Sequence, residues 1–182
     1  MLTTRHHDGF CLWPTRTTDF RIRSAAVTQD IVGAFVESCT DVGVKPGLYY
    51  WLWDRNCPLH SDDTAYSQFV RERITELLTH HGPQVELWFD GAWNKDSPTK
   101  SWDHTPEPPN APLNPSPWKW AELDSNLQSL QPACLVINNT GSHQPGRIRY
   151  EPTDIRTVEH LDFVRNGTLR PPPDPDPDTR PH

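Results

Sequence analysis

The chain has 182 residues and a formal net charge of −7, and it carries eight Trp, six Phe and four Tyr. That length suits one ordinary domain, and the aromatic content argues against a disordered chain. The acidic balance excludes a nucleic-acid binder that works by neutralising phosphates, and no run approaches the eighteen or so apolar residues of a membrane helix.

Leu2 to Arg5 reads as the end of a strand. The segment before and around it, from Met1 to His7, lacks the apolar core of a signal peptide. Because the chain opens directly on motif-like sequence, the natural domain is expected to begin upstream. Thr28 is placed as an N-cap, and Ile31, Val32, Phe35, Val36 and Cys39 follow at helical spacing, with Gly43 as the stop. Val44 to Leu52 reads as a strand with Pro46 near its start. The next helix spans Thr64 to His80, with Phe69, Val70, Ile74, Leu77 and Leu78 on its apolar face, and Gly82-Pro83 ends it. Val85 to Phe89 is a short apolar strand. Trp118 to Leu130 is a third helix, and Leu135-Val136-Ile137 a fourth strand.

Twenty prolines sit unevenly: six fall between Pro106 and Pro117 and six between Pro171 and Pro181. The first group marks an inserted loop near 103–117, and the second an extended tail over 170–182. Residues 1–169 are then one unit. Cys11, Cys39, Cys57 and Cys134 are scattered with no Cys-x-x-Cys pair, so neither a zinc knuckle nor a disulfide framework is expected.

Strands alternating with helices, each strand a short continuous apolar run, predict a parallel α/β sheet buried on both faces. A doubly wound sheet and a barrel both fit. No Gly-x-Gly-x-x-Gly follows a strand, which weighs against a dinucleotide fold. Four strands are about half of a (β/α)₈ TIM-like barrel, which runs to about 250 residues, so the fold class expected is an incomplete barrel.

Barrels place their chemistry at the C-terminal ends of the strands. Those ends carry His6-His7-Asp8, then Tyr49, Tyr50, Trp51 and Trp53, then Trp88-Phe89-Asp90-Gly91, then Asn138-Asn139. Aromatic faces stack on the C–H surface of a pyranose, while His and Asn bond its hydroxyls. Asp90, just past a buried strand, is a candidate nucleophile or metal ligand; the plain alternative is an Asx-type residue closing a strand. His6 and His7 equally read as a pair with one ring in the core and one in solvent. Each of Trp51, Trp53, Trp88 and Trp93 also reads as packing. Asn138-Asn139-Thr140 and Asn166-Gly167-Thr168 match glycosylation sequons.

Taken in order, these segments resemble the α-L-fucosidases of glycoside hydrolase family 29. Thr4 to Trp13 is similar to the family's His-His-Asp-Gly-Phe segment, and Asp30-Ile31-Val32 opens a helix as it does there. Gly47-Leu48-Tyr49-Tyr50 with Trp53-Asp54-Arg55 resembles a Gly-Leu-Tyr-Tyr-Ser-x-x-Glu/Asp region. Tyr66 through Gly82-Pro83 resembles a helix ending Leu-Leu-x-x-Tyr-Gly-Pro, and Glu86 to Ala92 is similar to the Trp-Phe-Asp-Gly nucleophile strand. The likeness spans Leu2 to Phe163.

The resemblance implies a retaining exo-α-L-fucosidase fragment acting on terminal fucose of glycans. Asp90 would form a covalent fucosyl-enzyme, and His6, His7 and Tyr49 would bind the sugar. Trp88 would support the sugar beside Asp90, and Glu159, within Asp154 to Glu159, would be the acid/base. Arg149-Tyr150-Glu151 offers Glu151 as the other acid/base candidate. No metal or organic cofactor is implied. The partner is a fucosylated oligosaccharide or glycoconjugate, with neither nucleic acid nor membrane. A secreted, periplasmic or lysosomal-type location fits the family; compartment, linkage preference and oligomeric state stay open. The chain departs from the family where Asn138-Asn139-Thr140 stands for Asn-Asp-Arg, leaving Arg147 or Arg149 to serve as the substrate-binding arginine. The family's first and last strands and its C-terminal β-domain also lack counterparts here. Two other functions compete: a non-catalytic fucose-binding remnant, and a metal-dependent hydrolase built on His6, His7 and Asp90.

Overall fold

A computed structural model describes residues 1–54, 56–59, 61–91, 119–139 and 153–155, together with the backbone of 164–165 and 168–169. Its centre is a four-stranded parallel sheet in the order β1 (Leu2–Arg5), β2 (Gly47–Trp51), β3 (Glu86–Asp90), β4 (Leu135–Asn138). Helices α1 (Ile31–Asp41), α2 (Asp63–His80) and α3 (Trp120–Leu130) connect successive strands. The architecture is therefore α/β with a parallel sheet, as the alternating pattern predicts.

The element boundaries move by small amounts for identifiable reasons. The cap of α1 is Asp30 rather than Thr28: its Oδ1 accepts from Gly33 N at 2.9 Å. Asp62 caps α2 through Thr64 N and Ala65 N, so that helix starts one residue before Thr64. β2 starts at Gly47 because Pro46 has no N–H for a ladder; its carbonyl instead accepts from Val85 N at 2.8 Å. α3 starts at Trp120, since Lys119 takes a left-handed turn with φ 47°. A 3₁₀ turn at Ile22–Ser24 and a two-stranded antiparallel pair, β5 (Val164–Arg165) and β6 (Thr168–Leu169), were not expected from the sequence. The proline-rich insertion and tail lie outside the described residues. All four cysteines are free, and burial raises the thiols of Cys11 and Cys134 to a pKa of about 11.

The two faces of the sheet differ. Side chains alternate along each strand, and parallel partners share a face. One parity, Leu48 and Tyr50 of β2, Leu87 and Phe89 of β3 and Val136 of β4, joins the buried cluster. The helices supply Val32, Tyr66, Phe69, Val70, Ile74, Leu77, Trp120, Leu123 and Leu127. Phe89 meets Trp120 edge-on at 5.6 Å. The other parity, Tyr49, Trp51, Trp88, Asp90 and Ile137, stands outside that cluster. The sheet expected to be buried on both faces thus packs described helices on one face only.

A charged knot anchors the helix side. The register of β1 shifts between Thr3 and Arg5, which turns Arg5 toward the helices. There Arg5 and Arg73 of α2 bind the same oxygen, Asp54 Oδ2, at 3.1 and 3.0 Å. Arg5 also donates to Tyr50 Oη at 3.0 Å and to the carbonyls of Trp51 and Trp53 at 2.9 and 2.8 Å. Arg73 donates from Nε to Thr17 at 2.8 Å. All three charges are nearly solvent-free, so each depends on the others.

Candidate active site

Asp90 is the last residue of β3 and is 7% exposed. Its two carboxylate oxygens face donors from three places. Tyr49 donates its hydroxyl to Oδ2. Asn139 donates from Nδ2 to Oδ1 at 3.0 Å, and Gly91 N donates to the same oxygen at 2.6 Å. The ladder register explains the meeting. Tyr49 pairs with Trp88 and Trp51 with Asp90, so all four lie on one face. Asn139 N donates to the Phe89 carbonyl at 2.8 Å, which carries the β3–β4 ladder one step past β4 and sets Asn139 beside Asp90. A phenol, a carboxamide and a backbone amide, all donating, suit an ionised carboxylate.

Aromatic rings wall this carboxylate. The Tyr49 and Trp88 rings are 6.2 Å apart and tilted by 49°. His6, just beyond β1, stacks on Trp51 at 4.5 Å and lies parallel to Tyr49 at 6.0 Å. His7 meets Trp51 edge-on at 6.1 Å, and the two histidines face each other through Nδ1 at 2.5 Å. Desolvation, with His7 as the next cause, lowers the pKa of His6 below its ordinary value, so its ring is neutral at neutral pH. Neither histidine enters the helix-side core; both are exposed in a turn closed by Gly9 N donating to the His6 carbonyl at 2.9 Å. Adjacent residues point to opposite faces only while the strand continues, and β1 ends at Arg5.

Two glycines let this loop and strand end approach so closely. Gly9 has φ +83° and lies against Asp54, where a Cβ would overlap the carboxylate. The buried charge knot therefore grips the turn that carries His6 and His7. Gly91 has φ +68°, and a Cβ there would sit 3.0 Å from both Trp51 Cε2 and Trp53 Cδ1. Leu52 N donates to the Asp90 carbonyl at 2.8 Å, fixing the end of β3 against β2.

Of the residues expected at the site, Asp90, Tyr49, Trp88, His6 and His7 are brought together. Glu159 and Glu151 lie outside the described residues, as do Arg147, Arg149 and Trp93. Sequence reasoning missed the link between Asn139 and Asp90, and it placed Trp51 among the strand-end aromatics without a role of its own. The signal for Trp51 was available: residues 49 and 51 share a face, as do 88 and 90. Asn138 is 5% exposed, with its backbone N–H donating to Thr153 Oγ1 at 3.2 Å, a poor setting for the glycan its sequon would attract. Among the described residues, no group of three or more His, Cys, Asp or Glu could hold a metal ion. Among those residues, too, no helix is long and apolar enough to cross a membrane.

The chain belongs to the alpha-L-fucosidase family, whose model matches residues 1–164. It is 38% identical over 95 residues to alpha-L-fucosidase 1 of Arabidopsis thaliana, an alignment covering 50% of this chain and 19% of that protein. In structure it is similar to a glycoside hydrolase 29 family member from an unknown rumen bacterium, with a TM-score of 0.64 and 30% identity, over 85% of this chain and 26% of that one. It is also similar to alpha-L-fucosidase isoenzyme 1 from Paenibacillus thiaminolyticus, with a TM-score of 0.58 and 26% identity, over 77% of this chain and 34% of that one. The family resemblance carried by the motifs is borne out. The chain spans about a fifth of the length of the curated relatives it matches first.

Proposed function

We propose that this chain is part of the catalytic domain of a retaining exo-α-L-fucosidase, with residues 1–169 in the domain and 170–182 as a tail. Its four strands then form half of a (β/α)₈ barrel. The sequential parallel order β1-β2-β3-β4 supports this, since doubly wound sheets reverse their order and carry helices on both faces. The face without a packed helix would be the barrel interior, and Asp90 stands at the C-terminal end of its strand, where barrels work.

The observation that carries the reading is Asp90 itself: a buried carboxylate at a strand end, held by donors and walled by Tyr49, Trp51 and Trp88. In the first step an Asp90 oxygen forms a bond to the anomeric carbon of a terminal α-L-fucose. The bond from that carbon to the leaving oxygen breaks, and the leaving oxygen takes its electron pair and a proton from the acid/base. Glu159 fills that role on motif position, with Glu151 as the alternative. Water then attacks the anomeric carbon, gives its proton to the same carboxylate, and frees Asp90. His6, His7 and Tyr49 offer hydrogen bonds to the sugar hydroxyls, and Trp88 offers a face to its C–H surface. No step needs a metal or an organic cofactor.

The test is release of the aryl group from an aryl α-L-fucoside by the full chain, with Asp90→Asn as control. A slow 2-deoxy-2-fluoro fucosyl donor should leave one fucosyl mass on the peptide containing Asp90. Turnover that survives Asp90→Asn, or an adduct on another carboxylate, overturns the assignment. Fucose binding without turnover or adduct moves the reading to a binding module.

A further inference from the structure

We propose that Asn56 is a positioning residue for the sugar-facing histidines: from the loop after β2 it clasps the turn that carries His6 and His7 and holds their rings against Trp51. The inference rests on the reading of that pair as sugar-binding and goes beyond it, to what aims the two rings.

The turn is held at three points, and all three lead to the same loop. At its start Arg5, the residue before His6, binds Asp54 Oδ2 at 3.1 Å. At its end Gly9 packs so closely on Asp54 that a Cβ there would lie 2.2 Å from Oδ1. Between those ends Asn56 donates from Nδ2 to the Asp8 carbonyl at 2.6 Å. Asn56 is itself anchored, since its backbone N–H donates to Asp54 Oδ1 at 3.0 Å. Asp54 does not follow a drifting turn: it is 3% exposed, and Arg73 of α2 holds its Oδ2 at 3.0 Å.

The consequence for the histidines follows from what else this stretch carries. Trp51 ends β2, and His6 stacks on it at 4.5 Å while His7 meets it edge-on at 6.1 Å. Platform and clasp thus belong to one short run of chain, so the turn keeps its register against the indole. The bond inside the turn, from Gly9 N to the His6 carbonyl at 2.9 Å, closes it without tying it to β2. The Asn56 carboxamide ties its middle. The residue type matters here. A carboxamide nitrogen donates to the Asp8 carbonyl, whereas an aspartate of the same shape would set oxygen against oxygen. Asn56 is exposed and lies outside every described helix and strand. Water readily replaces a hydrogen bond in such a place, so its effect falls on geometry more than on stability.

The experiment is proton NMR of the imidazole C–H signals of the full chain at pH 8, where both rings are unprotonated. His6 and His7 are identified by loss of their signals in His6→Gln and His7→Gln. A ring stacked on an indole face is shielded, so the His6 signals lie upfield of a free imidazole's. N56A and N56D should move them back toward the free position, while N56Q, which keeps the donor, should stay near the parent. Fucose affinity by calorimetry should fall about tenfold in N56A and N56D and less in N56Q. Where the chain turns over an aryl α-L-fucoside, the loss should fall on KM more than on kcat. A role limited to bracing the loop would lower the melting temperature and leave the His6 signals in place. Signals unmoved in both N56A and N56D overturn the proposal, and so do moved signals with fucose affinity unchanged. Failure of both variants to fold also overturns it, because Asn56 is then structural. A parent chain that neither binds fucose nor turns over an aryl fucoside would count against the fucosidase reading and leave the imidazole signals to decide this one.

Discussion

Phe89 and Trp88 are neighbours on one strand, yet they belong to different environments. Phe89 is 1% exposed and packs on Tyr50 and Trp120 among the helices. Trp88 is half-buried on the opposite face, with Tyr49 beside it and Asp90 two residues on. Among the described residues the helix face is largely apolar, with a buried knot of charge around Asp54. The other face gathers aromatic rings, histidines and a carboxylate held by donors. The pleat thus divides labour at single-residue resolution: one parity holds the sheet together, and the other is left for chemistry.

The division is broken most severely if changes on the two faces have the same consequence. Asp90→Asn should cut aryl fucoside turnover by on the order of 10³-fold or more while the melting temperature stays close to the parent's. A large fall in stability would instead make Asp90 a structural residue. On the helix side, Asp54→Ala should cost about 3–5 kcal/mol in denaturant unfolding, because it strands two buried arginines. It should also loosen the His6-His7 turn through Gly9. The neighbouring pair sharpens the contrast. Phe89→Ala should cost about 3–5 kcal/mol as a core cavity, with urea unfolding as the measure. Trp88→Ala should cost clearly less in the same assay and weaken fucose binding by calorimetry. Gly91→Ala should cost about 1–3 kcal/mol, since it adds a Cβ at φ +68° against two tryptophans.

How much of this was legible follows from which forces are local. Apolar spacing marked α1, α2 and β3 to within a few residues, because helix faces and strand runs are written in consecutive positions. The strand-end residues of the site were legible for the same reason, once parallel strands were inferred. The contact from Asn139 to Asp90 was not. It spans 49 positions and depends on how far the β3–β4 ladder runs past β4, which no local pattern encodes. The bulge that turns Arg5 to the helix side was hidden too: Thr3-Thr4-Arg5 reads as plain alternation, and only the paired register shows the slip. The alternative reading, one histidine in the core and one in solvent, rested on strand logic, and the end of β1 at Arg5 overrides it.

The smallest effect concerns His6, whose ring bridges the two regions' logic by packing on Trp51 while remaining exposed. Its pKa lies below the ordinary 6.5, from desolvation first and His7 second. Below pH 6.5 the unfolded chain therefore binds protons that the folded chain resists. Stability should fall as pH drops from 6.5 toward the folded value, and should be flat in this respect above it. Proton NMR of the imidazole C–H signals measures the shift directly. Trp51→Ala should move the His6 titration up toward 6.5 by restoring water to the ring, and His7→Ala should move it the same way by removing the electrostatic influence of the neighbouring ring. If neither variant moves it, the stack on Trp51 is not what keeps His6 neutral, and its role as an uncharged partner for a sugar hydroxyl loses its physical basis. If Trp51→Ala moves it and also weakens fucose binding more at pH 6 than at pH 8, the tryptophan acts on the sugar through the protonation of its neighbour.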